Sequence, residues 1–485
     1  MNFQPLILIF LLPFFGALIS GLVALQGPKL CRGIVLYSLY ISLFFAIITL
    51  LEVIGNQNLS YHLGAWRPPY GIEFTANIFN LTFIIFILIV AIVNLIHSNP
   101  ILKKFYPRGP QFYTLYLLLV SSFIGMSLSG DVFNIYVFLE ISSLTSYALI
   151  GRGDARAAKS ALNYLFLGTI GASFYLIGVG YLYIKTGTLN IGHLSTILPG
   201  LYFSTTVKTS FIFIVVGLMF KMAAFPLHTW LPNAYSYCPQ PTVGLIAPLA
   251  TKVALFLLFK ISFEVFGIEN LISNYNYSDI LVNLSAIGII IVCFLAVAQK
   301  NLLRSFCYIV IAEIGYIFGG FWLLNKTGLI GASYHIFCDI ILTLALFLFI
   351  GSIKSRYKSF EINVIKNIII EMPVLTIAFL ISCLSLIGLP PTGGFISKLY
   401  LLQGAYQANQ FLFFGSLIFA SISCIVIVFR IIEASFFNTE AKHAHKFDGS
   451  FRELFILFSL GLALILMGVF QEQFINIVIL PYLGV

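Results

Sequence analysis

The sequence predicts an all-α integral membrane protein of about fourteen transmembrane helices, with two inverted five-helix repeats (spans 4–8 and 9–13) and broken spans 7 and 12. Three observations lead there. Of the 485 residues, 60% are hydrophobic and 9% charged, against about 25% charged in soluble domains. Apolar runs of about 20 residues recur from end to end, each long enough to cross a bilayer as a helix. The ionisable residues inside those runs recur at a nearly constant interval. A soluble enzyme is excluded, and no stretch remains for a soluble domain.

Breaks at charged or Gly/Pro-rich positions place the spans near 4–25, 31–54, 76–96, 111–128, 131–149, 161–184, 207–225, 241–262, 279–298, 303–323, 329–350, 373–407, 411–436 and 453–476. The first run, Leu6 to Leu25, has no basic residue before it and leads almost directly into the next, so it reads as span 1, not a cleaved signal. Spans 4 and 5 are separated by little more than the turn at Ser129 to Asp131. In span 7, Lys221 precedes Pro226 in "FKMAAFPLHTWLP"; in span 12, Lys398 follows "GLPPTGGF". Prolines and glycines at these points cannot continue a regular helix, and broken backbone at membrane depth must line a cavity or be buried in protein. The expected divisions are a three-helix segment (1–110), a first repeat (111–262), a second (279–436) and a C-terminal helix (453–485), all in one membrane domain.

The formal charge of +9 does not indicate a nucleic-acid partner, because the basic residues are scattered over short loops. Seventeen fall in the odd-numbered loops: Lys29, Arg32, Lys103, Lys104, Arg108, Arg152, Arg156, Lys159, Lys300, Arg304, Lys354, Arg356, Lys358, Lys366, Lys442, Lys446 and Arg452. Five fall in or beside the even ones: Arg67, Lys185, Lys208, Lys260 and Lys326. The odd loops are therefore expected in the cytoplasm and both termini outside the cell membrane. Cys31, Cys238, Cys293, Cys307, Cys338, Cys383 and Cys424 lack metal-ligand spacing and read as small core hydrophobes. No metal or cofactor site is expected, and the 49 Phe read as packing and lipid-facing surface.

Four of the 26 basic residues remain, Lys221, Lys252, Lys398 and Arg430, and each falls inside a span. The acidic residues within spans are Glu140, Glu313, Asp339 and Glu433. A charge at the bilayer centre costs at least about 2.5 kcal/mol, so such residues pair, line wet cavities or form ion routes. Glu140, Lys221 and Lys252 are followed by Glu313, Lys398 and Arg430 at offsets of 173, 177 and 178. With an odd number of helices per unit, the second copy must enter from the opposite side, as in an inverted-topology repeat. Arg430 lies near a span end, where it can snorkel or pair with Glu433 one turn away. His228 reads as a loop anchor, and His335, one turn before Asp339, as either local hydrogen bonding or a proton carrier. Lysine suits proton transfer because burial shifts its pKa readily, whereas arginine stays charged.

The segments "GDVFNIYVFLEISSLTSYALIG", "FKMAAFPLHTWLPNAYSYCPQPTVGLIAPLATKVALF" and "LSLIGLPPTGGFISKLYLLQGAY" resemble the antiporter-like subunits shared by respiratory complex I, membrane-bound hydrogenases and Mrp-type Na+/H+ antiporters. The segment "ALNYLFLGTIGASFYLIGVGYLYIKTGTLN" and Lys398 look most like the D subunit of the Mrp antiporters. The resemblance implies a proton route: Glu140 pairs with Lys221, Lys252 relays to the central axis, and Lys398 ends the second half. It also implies partner membrane subunits and Na+ as coupled cation in a hetero-oligomeric antiporter. A pumping subunit of an NADH:quinone oxidoreductase or hydrogenase is the alternative, with redox chemistry in partners, and a non-conducting scaffold the third possibility. The sequence departs from the family on span 11, where relatives commonly carry His and Lys but this chain has Cys338 and Thr343; Glu313 also stands where relatives more often have an uncharged polar residue. His335 is then a candidate substitute in the relay, and the route reads as Glu140, Lys221, Lys252, Glu313, His335, Asp339 and Lys398.

Overall fold

The computed structural model describes residues 5–55, 58–105, 111–267, 277–357, 359–362, 368–436 and 450–484. Among the described residues, thirteen helices are long and apolar enough to cross a membrane by themselves. The fourteenth span is the broken one, made of Pro373–Ile387 and Gly393–Gln407. Of the seventeen basic residues expected in the odd loops, Arg108, Lys358, Lys366, Lys442 and Lys446 lie outside the described residues.

Several helix starts carry side-chain caps, which satisfy N–H groups that have no partner within the helix. Asn77 and Asn80 form a capping box on span 3 (Ile78–His97). Asp131 accepts from the amides of Phe133 and Asn134 at the start of span 5 (Val132–Ile150). Asp154 caps span 6 (Ala155–Thr186), which therefore begins six residues before the expected 161. Ser450 and Glu453 cap span 14 (Phe451–Val469). That helix ends at Val469, short of the expected 476, because the polar run Gln471–Glu472–Gln473 stops the apolar face; the chain then turns back through Gln471–Leu483 and lays Tyr482 on Phe79 at 4.3 Å. A short antiparallel hairpin, Leu59–His62 with Glu73–Ala76, was not expected from the sequence; Asn190 donates to its Glu73 at 3.1 Å.

Both interrupted spans stop in the same way. Thr205–Met222 ends at Ala223 (φ 60) and Pro373–Ile387 ends at Gly388 (φ +87). Glycine takes the left-handed conformation freely, whereas alanine there costs roughly 1–2 kcal/mol. Each break contains a cis proline, Phe225–Pro226 and Pro390–Pro391. Span 7 resumes as Leu231–Tyr237 and span 12 as Gly393–Gln407.

The repeat is visible in the packing. Span 4 (Gln111–Leu128) touches spans 5 and 8, span 5 touches 6 and 8, span 6 touches 7, and 7 touches 8 (Gln240–Lys260). The same pairings recur five spans later among Ser278–Ala298, Leu302–Trp322, Lys326–Tyr357, the broken span and Phe411–Phe436. Spans 8 and 11 form the axis: their apolar windows are 94% and 100% buried, against 28% for span 2. Polar side chains on these two helices therefore have no lipid or solvent to turn to and must find each other.

Candidate functional site

The first half centres on Lys221, in the last turn of the first half of span 7 and only 7% exposed. The break two residues later ends the helix, and the partial negative charge of its C-terminal end favours a cation there. Its Nζ donates to Ser143 Oγ at 2.6 Å, one turn beyond Glu140 on span 5. The expected direct Glu140–Lys221 ion pair is absent from the ion pairs among the described residues. Glu140 is half-buried, its Oε1 has no hydrogen-bond partner, and it acts on Lys221 only by its charge. The cause is register: Ser143 is three residues further along the helix and meets Lys221 first. Around them, Ser142, Ser143, Ser146, Tyr164 and Lys221 line a cavity of ≈ 20 Å³ with apolar residues of spans 4 and 8. A cavity of this size with hydroxyls and an ammonium in its wall has room for a water molecule.

The axis carries Lys252, fully buried, one turn beyond Pro248 within the helix. Its Nζ lies 3.0 Å from Asp339 Oδ2 and donates to Thr343 Oγ1 at 3.2 Å. Thr343 in turn donates to Asp339 Oδ1 at 2.6 Å, closing a triangle across spans 8 and 11. Thr343 thus bridges the pair without adding a second buried cation.

The second half is a chain of contacts. Glu313, on span 10 and 1% exposed, meets His335 Nε2 through Oε2 at 2.7 Å. His335 Nδ1 meets Ser397 Oγ at 2.8 Å, and Ser397 adjoins Lys398. Lys398 Nζ donates to the carbonyl of Leu386 at 2.6 Å and lies 5.2 Å from the Tyr316 ring centre. His335 and Asp339 are four residues apart on span 11 and so share a face, which joins this chain to the axis. Glu313 keeps one buried oxygen, Oε1, without a partner.

The two repeat lysines are not strictly equivalent. Lys221 stands in the last turn before its break and donates across to span 5, whereas Lys398 follows its own break and reaches back to the C-terminal end of the first half-helix. That end is the negative pole of the helix dipole, and a hydrogen bond to a charged donor is worth about 1.5–3 kcal/mol, comparable to the cost of placing a lysine at this depth.

Other candidates lie elsewhere. Arg430 donates to the carbonyl of Val297 at the end of span 9, and Glu433 is exposed, so neither joins the array. His228 stacks on Phe225 within the first break at 5.4 Å. The seven cysteines are free and buried, and among the described residues no three metal-ligating side chains converge. Ser143, Ser397 and Tyr316 belong to the array although the sequence did not single them out; serine and tyrosine are ordinary in apolar helices, and only the run "SSLTS" after Glu140 hinted at a polar face. Lys260, expected at a loop flank, is instead fully buried within span 8, because the helix continues past it as a π-helical turn, Ile261–Phe266.

The comparisons agree with this architecture. Residues 129–425, which contain both breaks and every charged member of the array, match the family model described as NADH:quinone oxidoreductase/Mrp antiporter, TM. An NADH-quinone oxidoreductase subunit N of Desulforudis audaxviator is 35% identical over 98% of this chain and 97% of its own length. The D subunit of a Na(+)/H(+) antiporter of Bacillus subtilis is 28% identical over 80% of this chain and 78% of its own. A chain of the membrane-bound sulfane sulfur reductase, an archaeal respiratory membrane complex, superposes with a TM-score of 0.89 at 25% identity, covering 99% of each chain. The broken spans, the buried lysines that they hold and the full-length match together establish that this multi-pass membrane chain belongs to the NADH:quinone oxidoreductase/Mrp antiporter family of membrane subunits.

Proposed function

We propose that the chain is a proton-translocating membrane subunit of a multisubunit complex, and that protons pass along Glu140, Lys221, Lys252, Asp339, His335, Glu313 and Lys398. The observation that carries this reading is a pair of buried polar clusters on one face of span 11, Lys252 with Asp339 and Thr343, and Glu313 with His335 and Ser397, one turn apart in the membrane axis. A static role explains it poorly, since apolar residues of similar volume would serve stability as well or better. The alternation of charge also has a use. At a separation of about 10 Å and an effective dielectric of about 20, one unit charge shifts its neighbour by about 1.7 kcal/mol, more than one pKa unit. A proton arriving at one station therefore favours release at the next. The chain itself does no redox chemistry in this scheme; partners supply the driving reaction or the counter-ion.

Two couplings are open to such a subunit. The 35% identity to a subunit N over nearly the whole chain favours a redox-driven complex, while the antiporter relative favours Na+/proton antiport. Neighbouring genes for redox subunits, or for the other Mrp subunits, would separate them. The basic-residue asymmetry supports a cell-membrane location with both termini outside, which labelling of a cysteine at Asn2 in intact cells would test.

Conduction itself is tested with the Lys252→Met/Asp339→Leu double variant in the purified complex, reconstituted in vesicles carrying a pH dye. Assembly is expected to survive because the pair is replaced by apolar groups, while proton flux falls by about a hundredfold. Flux at the wild-type rate would leave the scaffold reading.

A further inference from the structure

We infer that the first half has its own outlet, running from the Lys221 cavity along span 8 to Lys260 and Glu264 beneath the C-terminal segment. This rests on the reading of the chain as a proton carrier. The cavity is lined on span 8 by Ala250, Val253, Ala254 and Leu257, spaced three, four and seven as on one helix face, and Lys260 and Glu264 stand at the next positions of that series. On span 4 the lining residue Met126 adjoins Ser127, whose carbonyl accepts from Lys260 Nζ at 2.8 Å. The cavity and the lysine thus share two walls.

Lys260 repeats the setting of Lys398. It is fully buried, and its acceptor lies in the last turn of Gln111–Leu128, again the negative end of a helix. Glu264, one turn further and half-buried, acts on Lys260 by its charge and lies beside Asn77 and Tyr482. It sits in the π-helical turn Ile261–Phe266, a distortion found frequently at functional sites. Ser262 in the same turn holds a buried hydroxyl without a partner. A structural anchor for the C-terminal segment needs none of this, because Tyr482 already stacks on Phe79. A proton leaving Lys221 would pass by way of water in the cavity to Lys260, then to Glu264 and the surface opposite the basic loops.

The test uses the whole complex in vesicles, with Lys221→Ala as reference. Lys260→Met/Glu264→Leu removes both charges at similar volume, so a mere anchor would keep assembly and wild-type flux. The outlet predicts intact assembly with flux reduced by about tenfold or more, and the same loss in Lys260→Arg, which stays charged. Because every native cysteine is buried, Glu264→Cys is also expected to react with a membrane-impermeant thiol reagent from the side opposite the basic loops only. Normal flux in the double variant or in Lys260→Arg, while Lys221→Ala fails, overturns the outlet alone. Normal flux in Lys221→Ala overturns the proton-carrier reading itself.

Discussion

The two halves of the molecule use the same helix arrangement to hold charge in different ways. In the first, Glu140 and Lys221 do not touch; Lys221 leans on Ser143 and faces a water-sized polar cavity. In the second, Glu313, His335 and Ser397 are in direct contact. Water can replace a lost side chain in a cavity, whereas side chains in direct contact lose a link with each one removed. The first half should therefore depend on the titrating group itself and forgive its neighbours, while the second should depend on every member.

Lys221→Arg tests the first half of that contrast and carries the largest expected effect. The guanidinium keeps the charge at the helix end but does not release its proton, so flux in reconstituted vesicles should fall by about a hundredfold with the complex intact. Wild-type flux would remove Lys221 as a carrier.

His335→Ala addresses the second half. It strips the buried Glu313 carboxylate of its only hydrogen-bond partner among the described residues, a loss of the kind that costs about 3–5 kcal/mol. The purified complex should melt at a lower temperature as well as conduct less. An unchanged melting temperature would mean that Glu313 is already neutral, and the contact chain would then carry no charge to relay.

The smallest effects sharpen the comparison most. Ser143→Ala and Ser397→Ala each remove one hydroxyl, worth about 1 kcal/mol where nothing replaces it. Water in the first-half cavity should keep Ser143→Ala within about twofold of wild-type flux, whereas Ser397→Ala should lose about fivefold, the factor to which that energy corresponds. Equal losses measured side by side would show that the two halves are hydrated alike.

Composition and apolar run length specified the membrane class and the number of spans, and the prolines and glycines around Pro226 and Pro390 the positions of both breaks, because a backbone in hydrocarbon has few ways to satisfy its hydrogen bonds. Charges inside those runs were legible for the same reason: Lys221, Lys252, Glu313, Asp339 and Lys398 are too costly at that depth to be incidental. What one-dimensional reading could not supply was who meets whom. The Glu140–Lys221 pair gave way to Ser143 because a helix advances about 100° per residue, so three positions decide which side chain faces across a gap. Lys260 read as a flank residue, two positions from the expected end of span 8 at 262, because hydropathy marks where an apolar run fades, whereas the helix runs on to Phe266. Thr343, in sequence a lost lysine, became a bridge only once spans 8 and 11 were packed at the axis. Hydrophobicity is a property of each residue and survives in the sequence; partnership is a property of distance, and only the packed helices create it.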